Sequence, residues 1–328
     1  MYLISNFDGP FKEELTNFIN HKRSLGYDYG KSIVYRLAAM NRFLMEQGIQ
    51  NVKIPEYVFL KWIQLKDKES TSNQQKRYYA IHGFACFLIK RGYVDVYDAE
   101  NPMLLKNNFV PYIYTEDEIA RIFDCADHYY TERKSNIFNN NRIMPVLLRL
   151  LYSTGFRISE ALSLRVCDVN IEKGTISLIE GKNHAGRNIV VSASMKRVLE
   201  TYLQTITFCR NDEYLFHGYD GRAYTVCTAR CAFHCILEKA GIRRRPSGNF
   251  PRLHDFRHLF AIRALEQMAE KGYDLYTSLP ILCKYLGHKS IVETEYYIRL
   301  TQDRYFQLTG AVSKYAPNLF PDTEGIYQ

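Results

Sequence analysis

Residues 254–261 read H-D-F-R-H-L-F-A, and residues 286–298 read L-G-H-K-S-I-V-E-T-E-Y-Y-I. His254 and Arg257 are three residues apart, which on a helix puts both side chains on one face. Phe256, Leu259, Phe260 and Ile262 supply the apolar side chains that would bury such a helix. Gly287 breaks the chain ahead of His288, and Ser290 with Glu293 makes the S-x-x-E pattern of a helix start. Tyr297 then falls about two turns into that new helix. The stretch sets histidines, an arginine and a phenol on scaffolded elements. It carries no carboxylate pair and no metal-ligand spacing. Such groups suit holding an anion and attacking it.

Composition narrows the class. At 328 residues with 46% hydrophobic content, the chain is long enough for two domains with full cores. No apolar run reaches the roughly 20 residues that span a bilayer. The start, MYLISNFDGPFKEEL, carries acids early and no apolar core, unlike a secretory signal. A cytoplasmic protein is expected, with its eight cysteines as thiols. The net charge is +8, with +4 falling on either side of residue 108. That balance fits a slightly basic enzyme as well as two units that face a polyanion such as DNA.

Ahead of the opening stretch, helical periodicity recurs at 8–24 (Phe11, Leu15, Phe18, Ile19) and 31–47 (Ile33, Leu37, Met40, Leu44). It continues after Pro55 (Val58, Leu60, Trp62, Ile63) and at 71–91 (Tyr78, Ile81, Phe84, Phe87, Leu88). Gly26, Gly48 and Gly92 close three of these segments, so residues 1–108 read as a four-helix bundle. Lys22, Arg23, Lys76 and Arg77 stand among the basic residues expected on its outside, as candidate contacts to DNA phosphates.

A linker lies near 105–116, and residues 109–328 form the second domain. Thr115 and Glu118 make a second capping box, and the apolar run 143–154 is a buried helix. Residues 168–192 alternate with period two around turns at Gly174 and at G-K-N-H-A-G, the pattern of a small antiparallel β-meander. Helices are expected at 193–206 and 224–240. Cys227, Cys231 and Cys235 recur every four residues; one helix face sets the outer two about 12 Å apart, too far for one tetrahedral ion, so a buried face is expected and no metal. The basic loop G-I-R-R-R-P-S-G-N-F-P-R leads into the opening stretch and offers Arg243, Arg244, Arg245 and Arg252 to a DNA backbone.

Collecting polar groups at element ends yields Arg157, Lys182, His254, Arg257, His288 and Tyr297. Arginines fork onto phosphate oxygens, a lysine or histidine can protonate a leaving alkoxide, and a tyrosine can attack phosphorus. At these residues the chain resembles the tyrosine recombinase, or phage-type integrase, family. L-L-Y-S-T-G-F-R-I-S-E-A-L-S-L is similar to the family's first arginine box, with Arg157, and G-K-N-H-A-G-R to its hairpin lysine, Lys182. H-D-F-R-H-L-F-A resembles the H-x-x-R box, with His254 and Arg257, and L-G-H-K-S-I-V-E-T-E-Y-Y-I the final box, with His288 and Tyr297. The resemblance covers about 112–300; the first bundle resembles the family's SAM-like core-binding domain in architecture and position.

What the resemblance implies is a mainly α, two-domain enzyme whose second domain is mixed α+β and catalytic. It implies that Arg157 and Arg257 clamp the scissile phosphate, Tyr297 forms a 3′-phosphotyrosyl link, Lys182 is the acid, and His254 and His288 assist. It implies double-stranded DNA as partner, a homotetramer on DNA, strand exchange through a four-way junction, a nucleoid-associated setting, and no cofactor or metal. His258 and Asp255 are expected in supporting roles; in the family a C-terminal tail docks on a neighbouring protomer, and the apolar residues Leu308, Val312 and Leu319 beyond about Tyr305 permit this. A type IB topoisomerase and a catalytically silent DNA-binding protein remain as alternatives, and the spacing from His288 selects Tyr297 over Tyr296.

Overall fold

The computed structural model describes residues 7–67, 69–99, 111–129, 140–178, 186–206, 212–218, 221–245 and 248–288, with positions 290, 291, 294 and 297. Lys182, Glu293, Tyr296 and the C-terminal tail lie outside the described residues. The chain divides into two compact units, Met1–Phe109 and Val110–Gln328.

The first unit contains α1 (Lys12–Ser24), α2 (Lys31–Glu46), α3 (Glu56–Ile63) and α4 (Thr71–Lys90). Gly26, Gly48 and Gly92 follow three of these helices with φ between 74° and 91°. That left-handed backbone favours glycine and ends a helix cleanly. Phe11, Phe18, Leu37, Phe59, Trp62 and Phe84 meet in one core, with Phe18 against Phe84 at 5.6 Å between ring centroids. Leu60 departs from its expected place: it faces solvent, because α3 turns Val58, Phe59 and Trp62 inward instead.

Arg77 is a correction of a larger kind. It is buried, not surface-exposed. Its Nε donates to Glu69 Oε1 at 2.8 Å, and Nη2 donates to the Gln64 carbonyl at 2.8 Å. Nη1 donates to the Trp62 carbonyl. The guanidinium also lies 5.2 Å from the Trp62 ring centroid. Arg77 thus ties α4 to the end of α3, and its charge is consumed internally.

In the second unit, α5 (Glu116–Asp127) opens on the Thr115–Glu118 capping box, with Glu118 N donating to Thr115 Oγ1 at 3.2 Å and Thr115 N to Glu118 Oε2 at 2.9 Å. The apolar helix α6 (Asn140–Thr154) packs against α5 and carries the deeply buried Met144, Leu147, Leu148, Leu150 and Leu151. A short helix, α7 (Ile158–Ser163), follows Gly155 at once. The sheet runs β1 (Val169–Asn170), β2 (Thr175–Leu178), β3 (Arg187–Val190) in sequential antiparallel order. Ile176 pairs with Ile189, and both face the core, as period-two alternation requires.

Next come α8 (Ala193–Thr205), α9 (Val226–Lys239), α10 (Asp255–Glu270) and α11 (Leu275–Leu286). On α9 the cysteines overturn their expectation: Cys227, Cys231 and Cys235 are exposed. The larger stripe Ala229, Ala232, Phe233, Ile236 and Leu237 takes the core face, and the cysteines sit about 170° around the helix from it. Helix α11 was not anticipated by periodicity. It packs on α10, and Gly287 caps it in the left-handed conformation. Among the described residues no helix is long and apolar enough to cross a membrane.

Arg77→Leu is expected to lower the stability of the full chain by about 3 kcal/mol in urea unfolding, because Glu69 is left without its partner. Lys76→Ala, one residue earlier and exposed, is expected to change it by less than about 0.5 kcal/mol.

Candidate active site

The site begins with a carboxylate. Glu160 on α7 is 4% exposed and sits among three guanidinium groups. Arg157, the residue that caps α7, donates its backbone N–H to Glu160 Oε2 at 2.9 Å and its Nη1 to Oε1 at 2.8 Å. Arg187 of β3 donates Nη2 to Oε2 at 2.9 Å, and Arg257 of α10 places Nη1 4.0 Å from the same oxygen. Burial alone would raise the Glu160 pKa; the Arg157 backbone bond and the Arg187 and Arg157 charges outweigh it and hold the carboxyl below its ordinary value.

Backbone carbonyls aim the two arginines of the H-x-x-R and first boxes. Arg257, 1% exposed, donates Nη1 to the Gly155 carbonyl at 3.0 Å and Nη2 to the Leu286 carbonyl at 2.7 Å. Arg157 donates Nη2 to the Gly287 carbonyl at 3.1 Å. Both glycines need to be glycine. Gly155 has φ 63°, and a Cβ there would stand 2.6 Å from Phe260 Cδ1. Gly287 has φ 68°, and a Cβ would strike the Arg187 guanidinium. Burial, then the Arg157 charge, pushes the Arg257 pKa down to about 10, so it stays protonated at neutral pH.

The histidines and the phenol come from two further places. His254 caps the start of α10, and its ring meets the His258 ring edge-on at 4.8 Å. Tyr297 is 3% exposed and belongs to a small core with Ala261, Ile262 and Leu265 of α10 and Leu279, Leu282 and Leu286 of α11. His258 Nδ1 lies 3.0 Å from Tyr297 Oη. The His288 ring lies nearly parallel to the Tyr297 ring with centroids 6.2 Å apart, and its Nδ1 is 2.8 Å from Thr294 Oγ1. Burial pushes the His254 pKa down to about 4, and that of His258 and of His288 down to about 3, with the neighbouring arginines adding to the effect. All three imidazoles are therefore neutral at pH 7.

Five of the six residues expected from the sequence, Arg157, His254, Arg257, His288 and Tyr297, come together here; Lys182 lies outside the described residues. Sequence reasoning missed Glu160 as the hub, Arg187 as its third cation, and His258 as the neighbour of Tyr297. Only Glu160 left a signal, standing three residues after Arg157 with one helical turn between them.

The candidate DNA contacts divide. Arg243 is exposed, and exposed Arg244 stacks on Phe250, with the guanidinium 3.9 Å from the ring centroid. Arg245 is instead drawn inward to pair with Asp255, which is fully buried, and Arg252 is half-exposed, with its backbone N–H on Asp255 Oδ2 at 2.7 Å. Lys76 is exposed, while Lys22 and Arg23 are half-buried, Lys22 lying 5.3 Å from the Tyr27 ring centroid.

The sequence profile of the phage integrase family matches residues 113–304, more than half of the chain. The chain belongs to this family, the tyrosine recombinases. A Sinorhizobium fredii protein named as an integrase/recombinase, y4rB, is 30% identical over 195 residues, 57% of this chain and 61% of that protein. The tyrosine recombinase XerD of Oceanobacillus iheyensis is 26% identical over 317 residues, 92% of this chain and 90% of its own. Among solved structures, a lambda integrase tetramer bound to a Holliday junction matches with TM-score 0.62 at 14% identity, over 89% of this chain and 78% of that one. The XerH site-specific recombinase bound to its difH substrate matches with TM-score 0.58 at 21% identity, over 83% and 77%. At these identities the two structures show that this integrase-family chain shares their fold.

The neutral histidines make an acid signature. Their folded pKa values lie below the unfolded value of about 6.5, so the unfolded chain binds more protons between the two. Stability is then fully present above pH 6.5 and is lost as pH falls toward the folded values, at up to about 1.4 kcal/mol per pH unit for each histidine. Calorimetry of the full chain should show the transition falling from pH 6.5 to 4.5, with a shallower slope in His288→Asn. Equal slopes would contradict burial of a neutral His288.

Proposed function

We propose that the chain is a site-specific DNA recombinase that cuts through a covalent tyrosine link. Tyr297 is the nucleophile. Its oxygen attacks the scissile phosphorus, forms a 3′-phosphotyrosyl bond and releases a 5′-hydroxyl. Arg157 and Arg257 hold the non-bridging oxygens and neutralise charge that grows in the transition state. Lys182 protonates the leaving 5′-oxygen, and His254 and His288 position the phosphate and share proton movement. The covalent link conserves the bond energy, so the scheme calls for neither ATP nor a metal ion.

The single observation that carries this reading is a buried phenol within electrostatic reach of Arg257, which carbonyls at the end of α11 aim together with Arg157. Sequence-remote arginines, histidines and a phenol gathered in one buried region fit phosphoryl transfer better than a structural ion cluster, which has no use for the phenol. The proposed partner is double-stranded DNA carrying recombination sites. Residues 1–108 serve as the core-binding clamp and residues 109–328 as the catalytic domain. A homotetramer acting through a four-way junction is proposed from the lambda integrase assembly that the fold resembles. Lys22, Arg23, Lys76, Arg243, Arg244 and Arg252 remain candidates for the DNA backbone; Arg77 and Arg245 do not, since Glu69 and Asp255 occupy them.

The test is covalent trapping. DNA fragments flanking the coding region are incubated with the full chain in EDTA, and protein–DNA adducts are mapped. A 3′-linked adduct is expected with the parent and with Tyr296→Phe and is expected to vanish in Tyr297→Phe. An adduct that survives in Tyr297→Phe refutes the assignment, and cleavage that stops in EDTA refutes the metal-free scheme.

A further inference from the structure

His258 stands one residue beyond Arg257 on α10, which rotates its side chain about 100° away from the arginine. It therefore looks along a different line, toward Tyr297 rather than toward Glu160. The contact is short and buried: Nδ1 to Oη is 3.0 Å, with the two rings 5.6 Å apart at their centroids. His288 stacks on the phenol but turns its own Nδ1 to Thr294 Oγ1. His254 meets the edge of His258 from the start of the same helix. Of the two histidines assigned to the phosphate, His288 stacks on the phenol and His254 reaches only the His258 ring, while His258, a third and unassigned histidine, is hydrogen-bonded to the phenolic oxygen.

We propose that His258 is the proton acceptor for Tyr297, with Nδ1 bare and Nε2 carrying the ring proton. The inference rests on Tyr297 being the nucleophile. As the phenolic oxygen bonds to phosphorus, its proton passes to His258 Nδ1. The bond from phosphorus to the 5′-oxygen breaks, and that oxygen takes a proton from the acid, Lys182 in the scheme above. Religation runs the same path backwards: the 5′-hydroxyl attacks, and the imidazolium of His258 returns its proton to the tyrosine. One proton leaves the phenol and one arrives at the 5′-oxygen, so no oxidant, metal or co-reactant enters.

The charges around His258 explain when it can act. Described groups that act on it include His254 and Arg257 on its own helix, Arg245 and Arg252 from the preceding loop, whose partner is Asp255, and Tyr297 from the last described segment. Burial is the larger cause, and these cations add to it, so His258 is neutral and a weak base before DNA arrives. A phosphodiester held by Arg157 and Arg257 brings negative charge beside that set. It offsets the guanidinium groups and makes the imidazolium easier to form. Proton acceptance is thereby coupled to phosphate binding.

The experiment is single-turnover adduct formation by the full chain on a nicked suicide duplex that carries the mapped cleavage site. His258→Asn keeps a hydrogen-bond acceptor near the Nδ1 position but cannot take a proton. It is expected to slow cleavage about 100-fold at pH 7.5, in the range of general-base effects. The deficit should narrow as pH rises toward 10, where hydroxide can remove the phenolic proton. A 5′-bridging phosphorothiolate, whose sulfur leaves without protonation, should restore Lys182→Ala and leave His258→Asn slow. The proposal falls if His258→Asn runs within threefold of the parent, if its deficit is the same at every pH, or if the phosphorothiolate restores it. Should His258→Asn fail to fold by circular dichroism, nitrogen-15 NMR of the parent decides instead: a protonated Nδ1 at pH 7 refutes the proposal, and a bare one supports it. Failure of the broader reading looks different, since Tyr297→Phe would then still form an adduct.

Discussion

Three guanidinium groups around one buried carboxylate form the interaction on which the second unit's chemistry depends. Arg157, Arg187 and Arg257 come from α7, β3 and α10, and Glu160 is what lets them approach one another in the interior. Unpaired, each charge would pay a desolvation penalty of several kcal/mol, and the like charges would repel. With Glu160 ionised, two of them have a direct partner and the third has one at the edge of ion-pair range. A buried cluster of this kind contributes little to net stability relative to an apolar one. Its worth lies in geometry: the carboxylate sets the relative positions of arginines that are 30 and 100 residues apart in the chain.

Backbone carbonyls complete that arrangement. The oxygens of Gly155, Leu286 and Gly287 accept from Arg257 and Arg157, and all three sit at helix ends, where carbonyls lack intrahelical donors. The helix C-terminus is also the negative pole of its dipole, so the ends of α6 and α11 favour cations there. The left-handed glycines bring those ends close enough for the bonds to form. The same α11 that offers Leu286 and Gly287 to the arginines packs its apolar face around Tyr297. One helix therefore positions both the arginine donors and the phenol, which ties Tyr297 to Arg157 and Arg257 through packed side chains.

Much of this was legible in the chain before any coordinates. Helical periodicity and closing glycines located α1, α2 and α4 because those signals are local, set by residues within one or two turns. The capping box at Thr115 was read for the same reason, as was the alternation that pairs Ile176 with Ile189. The site residues Arg157, His254, Arg257, His288 and Tyr297 were found through their resemblance to a family, and the fold then brought them together. What local pattern could not reveal was competition between elements. Arg77 reads as a surface cation from its neighbours, yet it is claimed by Glu69 and by the end of α3. The α9 cysteines read as a helix stripe, yet a stripe with Phe233 and Leu237 buries more apolar area and wins. Glu160 and Arg187 are linked only in three dimensions, and no spacing rule joins a short helix to a strand 27 residues later.

The electrostatic balance of the site favours one class of ligand. In this part of the second unit the described groups include Arg157, Arg187 and Arg257, the carboxylates Glu160 and Asp255, and three histidines that burial keeps neutral. That leaves an excess of positive charge near Glu160; burial is the main cause of the low histidine pKa values, and the neighbouring cations add to it. A monoanionic phosphodiester relieves that excess, whereas a neutral ligand leaves it in place. A carboxylate could relieve the charge as well, but it offers no phosphorus for an adjacent phenol to attack. In the proposed reaction the buried tyrosine is what distinguishes a phosphodiester from the other anions that the surplus charge could receive, and that same charge would favour the phenolate once its proton has an acceptor.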